Sequence, residues 1–205
     1  MKLALIGLGL AAAPLSSAQV FFNTFGSGDT YNRFSGMAVS GRSSLLGSEI
    51  SQGIQFQAAH TGAVSQLVMA IGHSFGQPVV NLRLFNDNSN TMGTSVGGFY
   101  ATGVNPSSFG RGTEVITRDV SAVGWSLVAG QKYWLFASSG SDSWLTWNFS
   151  DDGKFYQRFT ITNGSAPNYY PSNGMAVRLE AVPEPASMIA LGAGLLAVAR
   201  RRRRA

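Results

Sequence analysis

Apolar side chains recur at every second position through the middle of this 205-residue chain. That period belongs to strands, whose successive side chains point to opposite faces, and not to helices, whose apolar stripe returns every three or four residues. Ile54, Phe56 and Ala58 alternate with Gln55 and Gln57; Leu67, Met69 and Ile71 face away from Val68 and Ala70; Val80, Leu82 and Leu84 alternate with Asn81 and Arg83. Further strands are expected at 113–120, 132–137, 144–149, 155–162 and 175–181. No segment between them carries a convincing helical stripe. The expected fold is therefore all-β, an antiparallel β-sandwich of jelly-roll or Greek-key type, with a barrel as second choice.

Turn chemistry separates the strands. Asn86-Asp87-Asn88-Ser89-Asn90 reads as a polar loop, Asp151-Asp152-Gly153 and Asn163-Gly164 as tight hairpin turns, and Ala129-Gly130-Gln131 as the turn before the strongest strand. The 25 glycines, and a charged fraction of 12% against the usual quarter or so, fit such a chain and exclude a coiled coil. A hydrophobic fraction of 44% excludes a disordered polymer. All aromatic residues lie between Phe21 and Tyr170, which confines ring burial to the middle, and the absence of cysteine leaves the fold without a disulfide.

The net charge of +5 would suit a nucleic-acid binder if the body carried it. It does not: Lys2 and Arg200, Arg201, Arg202, Arg203 and Arg204 supply six of the 15 bases, and the nine left between Gln19 and Pro185 face ten acids, a balance of −1. No nucleic-acid partner is expected. At the N-terminus, Lys2 is followed by the apolar residues 3–15 and by the small side chains Ser16-Ser17-Ala18. This is the order of a secretory signal peptide, with signal peptidase cutting between Ala18 and Gln19. At the C-terminus, Val182-Pro183-Glu184-Pro185 precedes the uncharged residues 186–199 and the five arginines. A helix over 186–199 would be about 21 Å long, a short span against a hydrocarbon core of about 30 Å. The arginines would stay in the cytoplasm and everything upstream outside. The chain thus divides into a signal peptide (1–18), a β-sandwich ectodomain (19–181) and a sorting tail (182–205) with one short transmembrane helix.

Val182-Pro183-Glu184-Pro185, the apolar stretch and the terminal arginine cluster together resemble the PEP-CTERM sorting signal of Gram-negative bacteria. That resemblance implies that Pro183, Glu184 and Pro185 are read by a membrane-embedded exosortase, that the apolar helix is a transient inner-membrane anchor, and that Arg200, Arg201, Arg202, Arg203 and Arg204 stop translocation. It also implies delivery to the cell surface or to the exopolysaccharide matrix of a biofilm. The run from Leu127 through Gly130-Gln131-Lys132-Tyr133-Trp134-Leu135 to Trp144 and Trp147 resembles choice-of-anchor ectodomains, which carry interchangeable sorting tails. This second resemblance implies a β-sandwich of unassigned activity.

Catalytic patterns are few. Gly72-His73-Ser74-Phe75-Gly76 has the spelling of a nucleophile elbow, but residues 78–85 read as a strand where a helix should follow, and the other histidine, His60, lies upstream. A glycine-bearing turn is expected there instead. His60 and His73, even on neighbouring strands, do not make a zinc site without further ligands. Asp87, Asp151 and Asp152 could offer oxygens to calcium, though at no known loop spacing, so no cofactor is expected. Asp142, Asp151 and Asp152 are the carboxyls a glycosidase would have to hold roughly 5–9 Å apart.

The aromatic residues Trp134, Trp144 and Trp147, with Trp125, Tyr169 and Tyr170 nearby, are the candidate carbohydrate contacts. If Tyr133, Leu135 and Ala137 face the core, Trp134 and Phe136 face outward; Leu145, Trp147 and Phe149 likewise oppose Trp144 and Thr146. Outward rings require a covering loop or a partner. The expected function is that of an exported surface or matrix protein without catalytic residues. The alternatives are a carbohydrate-binding module for exopolysaccharide and a secreted glycosidase or other hydrolase.

Overall fold

The computed structural model describes residues 18–106 and 115–181. Strands β1 (Gln19–Asn23), β2 (Tyr31–Ser40), β3 (Ile50–Gln57) and β4 (Gly62–Ala63) come first. The long β5 (Gln66–Phe75) and β6 (Val79–Asn88) follow, then the shorter β7 (Thr91–Ser95), β8 (Tyr100–Gly103) and β9 (Asn105–Pro106). β10 (Val115–Asp119) leads through one 3-10 turn to β11 (Ser126–Leu127). The chain ends its described part with β12 (Lys132–Ser139), β13 (Trp144–Ser150), β14 (Phe155–Thr162), β15 (Asn168–Asn173) and β16 (Val177–Ala181).

Fourteen of these strands build two sheets, while the short β4 and β11 pair only with each other. The first runs β15-β14-β3-β12-β6, and β7 and β8 share the far side of β6. In the second, β5 has β13 and β16 on one side and β10 and β9 on the other; β2 lies outside β13 and β1 outside β16. A single residue pair, Ser40 with Ile50, joins β2 to β3. Among the described strands only β5 and β9 pair in parallel.

The inner faces carry the alternation expected of them. Ile54, Phe56, Leu82, Leu84, Tyr133 and Leu135 come from the first sheet, Leu67, Met69, Ile71, Leu145, Trp147, Val177 and Leu179 from the second, and all belong to one buried cluster. Burying each such side chain is worth about 1.5–3 kcal/mol, which is why the period-two pattern fixes the register so firmly. The all-β antiparallel sandwich is the fold that the sequence implies. No helix among the described residues is long and apolar enough to cross a membrane; the expected signal-peptide residues 1–17 and the expected helix at 186–199 lie outside the described residues.

Two details depart from expectation. Residues 86–88 are not loop: β6 continues to Asn88, and Ser89 (φ 52°) with Asn90 (φ 65°) alone make the turn into β7. Both residues take positive φ, as a primed two-residue hairpin turn requires. At the sandwich edge, Gly36 pairs with Asn148 but Tyr31 pairs with Ser150, so β2 bulges outward. The Asn148 side-chain amide, itself buried, holds that bulge by donating to the carbonyls of Asn32 (2.9 Å) and Ser35 (3.4 Å). A bulged edge is a poor template for further pairing.

Candidate functional site

The outer face of the first sheet is where the sequence and the structure part most usefully. Trp134 points away from the inter-sheet core, opposite Tyr133 and Leu135, yet it is fully buried. Its cover comes from the β14–β15 hairpin: Phe159 and Tyr169 each bring a ring centroid to 5.3 Å from the indole, and Phe136 stacks on Phe159 at 6.0 Å. Phe159 can lie across β3 because position 53 is glycine. A Cβ there would meet the Phe159 ring at 2.2 Å. Tyr169 is pinned in turn by the backbone N–H of Met92, which donates to its hydroxyl at 3.0 Å.

Asp87 closes one end of this cluster. Trp134 Nε1 donates to Asp87 Oδ1 at 2.8 Å, and Gln55 Nε2 donates to the same oxygen at 2.6 Å. The Asn90 backbone N–H donates to Asp87 Oδ2 at 3.1 Å, while Asn90 Oδ1 accepts from both Gln55 Nε2 and Lys132 Nζ, each at 3.1 Å. Partial burial disfavours the charged carboxylate, but the donors from Asn90, Gln55 and Trp134 and the nearby Lys132 charge outweigh it, and the Asp87 pKa lies below its ordinary value. Beside it opens a cleft of ≈ 550 Å³ lined by Asn86, Asp87, Gly130, Gln131 and Lys132. None of these was singled out together from the sequence, because residues 86–90 read as a loop. The signal was present: Asn81, Arg83, Phe85 and Asp87 continue the outward alternation of β6.

The tryptophans named as carbohydrate contacts are rearranged accordingly. Trp147 is fully buried in the core, its Nε1 donating to the Ala176 carbonyl at 3.1 Å, and Trp134 lies under its aromatic cover. Neither presents a ring face to a sugar, which corrects that expectation for both. Trp144 remains partly exposed on β13, paired in register with Ser40 and Phe75. Trp125 is also fully buried, with Nε1 donating to the Gly98 carbonyl at 3.0 Å.

The nucleophile-elbow and paired-histidine candidates do not assemble. Gly72, His73 and Ser74 all lie within β5, only Gly76 (φ 76°) takes the turn conformation, and strand β6 comes next. His73 Nε2 donates to the Gly76 carbonyl at 2.7 Å. His60 sits in an exposed bend after β3, so the two histidines are not on neighbouring strands. Asp142 precedes β13 and Asp151 follows it; that strand alone spans about 20 Å, far beyond the carboxyl spacing of a glycosidase. Asp152 is engaged by Ser150 Oγ (2.6 Å) and by the Tyr156 hydroxyl. Desolvation, together with that hydrogen bond and the Asp152 charge, raises the Tyr156 pKa. Asp87 is separated from Asp152 by β12 and β3, about 14 Å at the usual strand spacing, and its Oδ1 already accepts two donors. Among the described residues no three metal-ligating side chains converge.

The second sheet ends where the sorting tail begins. Ala181, the last residue of β16, pairs with Gln19, the first of β1. Residues 181–204 match the PEP-CTERM protein-sorting motif. The match spans Pro183, Glu184, Pro185 and the arginines Arg200, Arg201, Arg202, Arg203 and Arg204, all outside the described residues. The PEP-CTERM motif is a signal for export and surface sorting, with an exosortase as the processing partner. No curated protein matches the chain.

Proposed function

We propose that this chain is an exported protein without catalytic activity, delivered by its PEP-CTERM tail to the cell surface or extracellular matrix, where the β-sandwich is the working part. The match at 181–204 carries this reading. The pairing of Gln19 with Ala181 supports it further: every described strand lies between these two residues, so cuts after Ala18 and near Pro185 would remove none of the sandwich's ladder hydrogen bonds. In this reading signal peptidase and the exosortase act in turn, and the apolar stretch at 186–199 serves as a transient inner-membrane anchor. The sandwich is of the choice-of-anchor kind, as the run from Leu127 to Trp147 suggests. The test is mass spectrometry of protein recovered from the cell surface or medium. A chain starting at Gln19 and ending near Pro185 is expected; released protein that keeps Arg200 to Arg204 would overturn the tail-processing step, and full-length protein confined to the cytosol would overturn the reading as a whole.

A further inference from the structure

We propose that the cleft beside Asp87 binds a neutral, hydroxyl-rich ligand, a short saccharide segment, through its polar walls and not through an aromatic platform. The proposal goes beyond the sorting reading and does not depend on it.

Charge narrows the ligand class first. The walls hold one carboxylate, Asp87, and one ammonium, Lys132, and both are tied to Asn90, the carboxylate through its backbone N–H and the ammonium through its side-chain oxygen. An anion entering the cleft meets a carboxylate held in its ionised form. A cation meets Lys132, and finds Asp87 Oδ1 already accepting from Trp134 and Gln55. A neutral ligand pays neither penalty.

Hydrogen-bonding capacity then selects among neutral ligands. Among the described residues, Asn86 uses its Nδ2 on Thr94 Oγ1 (3.1 Å) but not its Oδ1, and Gln131 uses its Oε1, which accepts from the Tyr133 hydroxyl at 3.1 Å, but not its Nε2. Lys132 Nζ makes one of its three bonds, and Asp87 Oδ2 accepts one donor. Spare donors and spare acceptors therefore both belong to the residues that line one space, which suits hydroxyl groups because each both donates and accepts. Gly130 adds a wall without a side chain, so a ligand can approach the backbone there. The volume of ≈ 550 Å³ falls within the range of small-molecule sites. The walls are also fixed before any ligand arrives: Asp87 by Trp134 and Gln55, Gln131 by Tyr133, Lys132 by Asn90. Without a stacking ring, affinity rests on hydrogen bonds exchanged with water, and dissociation constants of about a millimolar are expected.

The experiment titrates isotope-labelled protein, recovered from the exporting cells, with maltose, cellobiose, lactose and mannobiose, and with glucuronate and calcium chloride as charged probes. The readouts are the Trp134 indole N–H resonance, assigned through Trp134→Phe, and the Asn86 and Gln131 side-chain amides. At least one neutral disaccharide should shift these signals saturably, and Lys132→Met and Asn86→Ala should each weaken that binding about fivefold or more. Both substitutions alter exposed side chains, and the unfolding midpoint measured beside each separates lost binding from lost fold; should one variant unfold, the other decides. The proposal is overturned by the absence of a saturable shift across the four sugars, by binding unchanged in a folded variant, or by glucuronate or calcium binding as tightly as the best neutral sugar.

Discussion

Trp147 and Trp134 are both fully buried, on adjacent halves of one fold, and they are buried by different means. Trp147 lies between two sheets, where any apolar side chain of the right parity is covered automatically, and its N–H needs only a backbone carbonyl. Trp134 lies on the face that a two-layer sandwich leaves to solvent. It is covered only because the β14–β15 hairpin brings two rings over it, glycine at 53 lets one of them cross β3, and a carboxylate receives its N–H. The difference teaches that outward rings on a strand are not by themselves a binding surface. Here they became a second core, and the opening that remains sits at its polar end.

Removing each indole sets the scale of the comparison. Trp147→Ala should lose about 3–5 kcal/mol, the usual range for deleting a large ring from a closed core, seen as a lower denaturant midpoint with little change in slope. Trp134→Ala should lose less, because its hairpin cover can settle into the gap more freely than two opposed sheets can. Equal losses would mean that the hairpin is as rigid as the core. Next in size is Gly53→Ala, expected at about 1–3 kcal/mol, since its methyl would push Phe159 off Trp134 and Phe136. A neutral result would show that Phe159 is not locked across β3.

The third effect is smaller and depends on pH. The Asp87 pKa is lowered in the folded protein, so its contribution is present above the unfolded value of about 3.9 and is lost as pH falls through the folded value. Asp87→Asn should therefore flatten the stability curve below about pH 4, and near neutrality should weaken the fold by about 1 kcal/mol. Urea titrations of both proteins across that range measure the difference. Parallel curves would mean that the donors around Asp87 do not favour its charged form.

The same contrast explains how far these regions were legible in the sequence. The inner faces were readable because burial enforces strict alternation: β14 falls on 155–162 as expected, and the inward sets on β5, β6 and β12 are those the pattern marks. β2 was not, because an edge strand with a bulge over Asn32 to Ser35 breaks the period. β15 was not, because Pro171 cannot donate to a ladder and suits only an edge. The cleft was missed for a subtler reason. Asn86, Asp87, Asn88 and Asn90 have turn chemistry, and only the primed turn at Ser89-Asn90 lets the strand run on beneath them. Turn propensity placed a loop where tertiary pairing, Tyr133 with Asn86 and Asn88 with Thr91, maintains a ladder.

The smallest effect concerns a buried group that belongs to neither tryptophan. Arg158 is 1% exposed, yet no carboxylate faces it among the described residues. Its guanidinium lies over the rings of Phe149 (5.2 Å) and Tyr170 (5.5 Å), Nη1 donates to the Asn173 carbonyl at 2.9 Å, and Nε finds no partner. Desolvation lowers its pKa, against the opposing pull of Tyr170. The ring contacts and one good hydrogen bond thus offset a substantial burial penalty, and replacement by an apolar side chain of similar length removes both sides of that balance. Arg158→Met should change stability by less than about 1 kcal/mol, in contrast to either tryptophan truncation. A loss of about 3 kcal/mol or more would instead make Arg158 a structural pin of the β14–β15 hairpin. In that case the cover over Trp134 would depend on a cation on the opposite face of the same sheet, and the two buried regions would be one coupled unit.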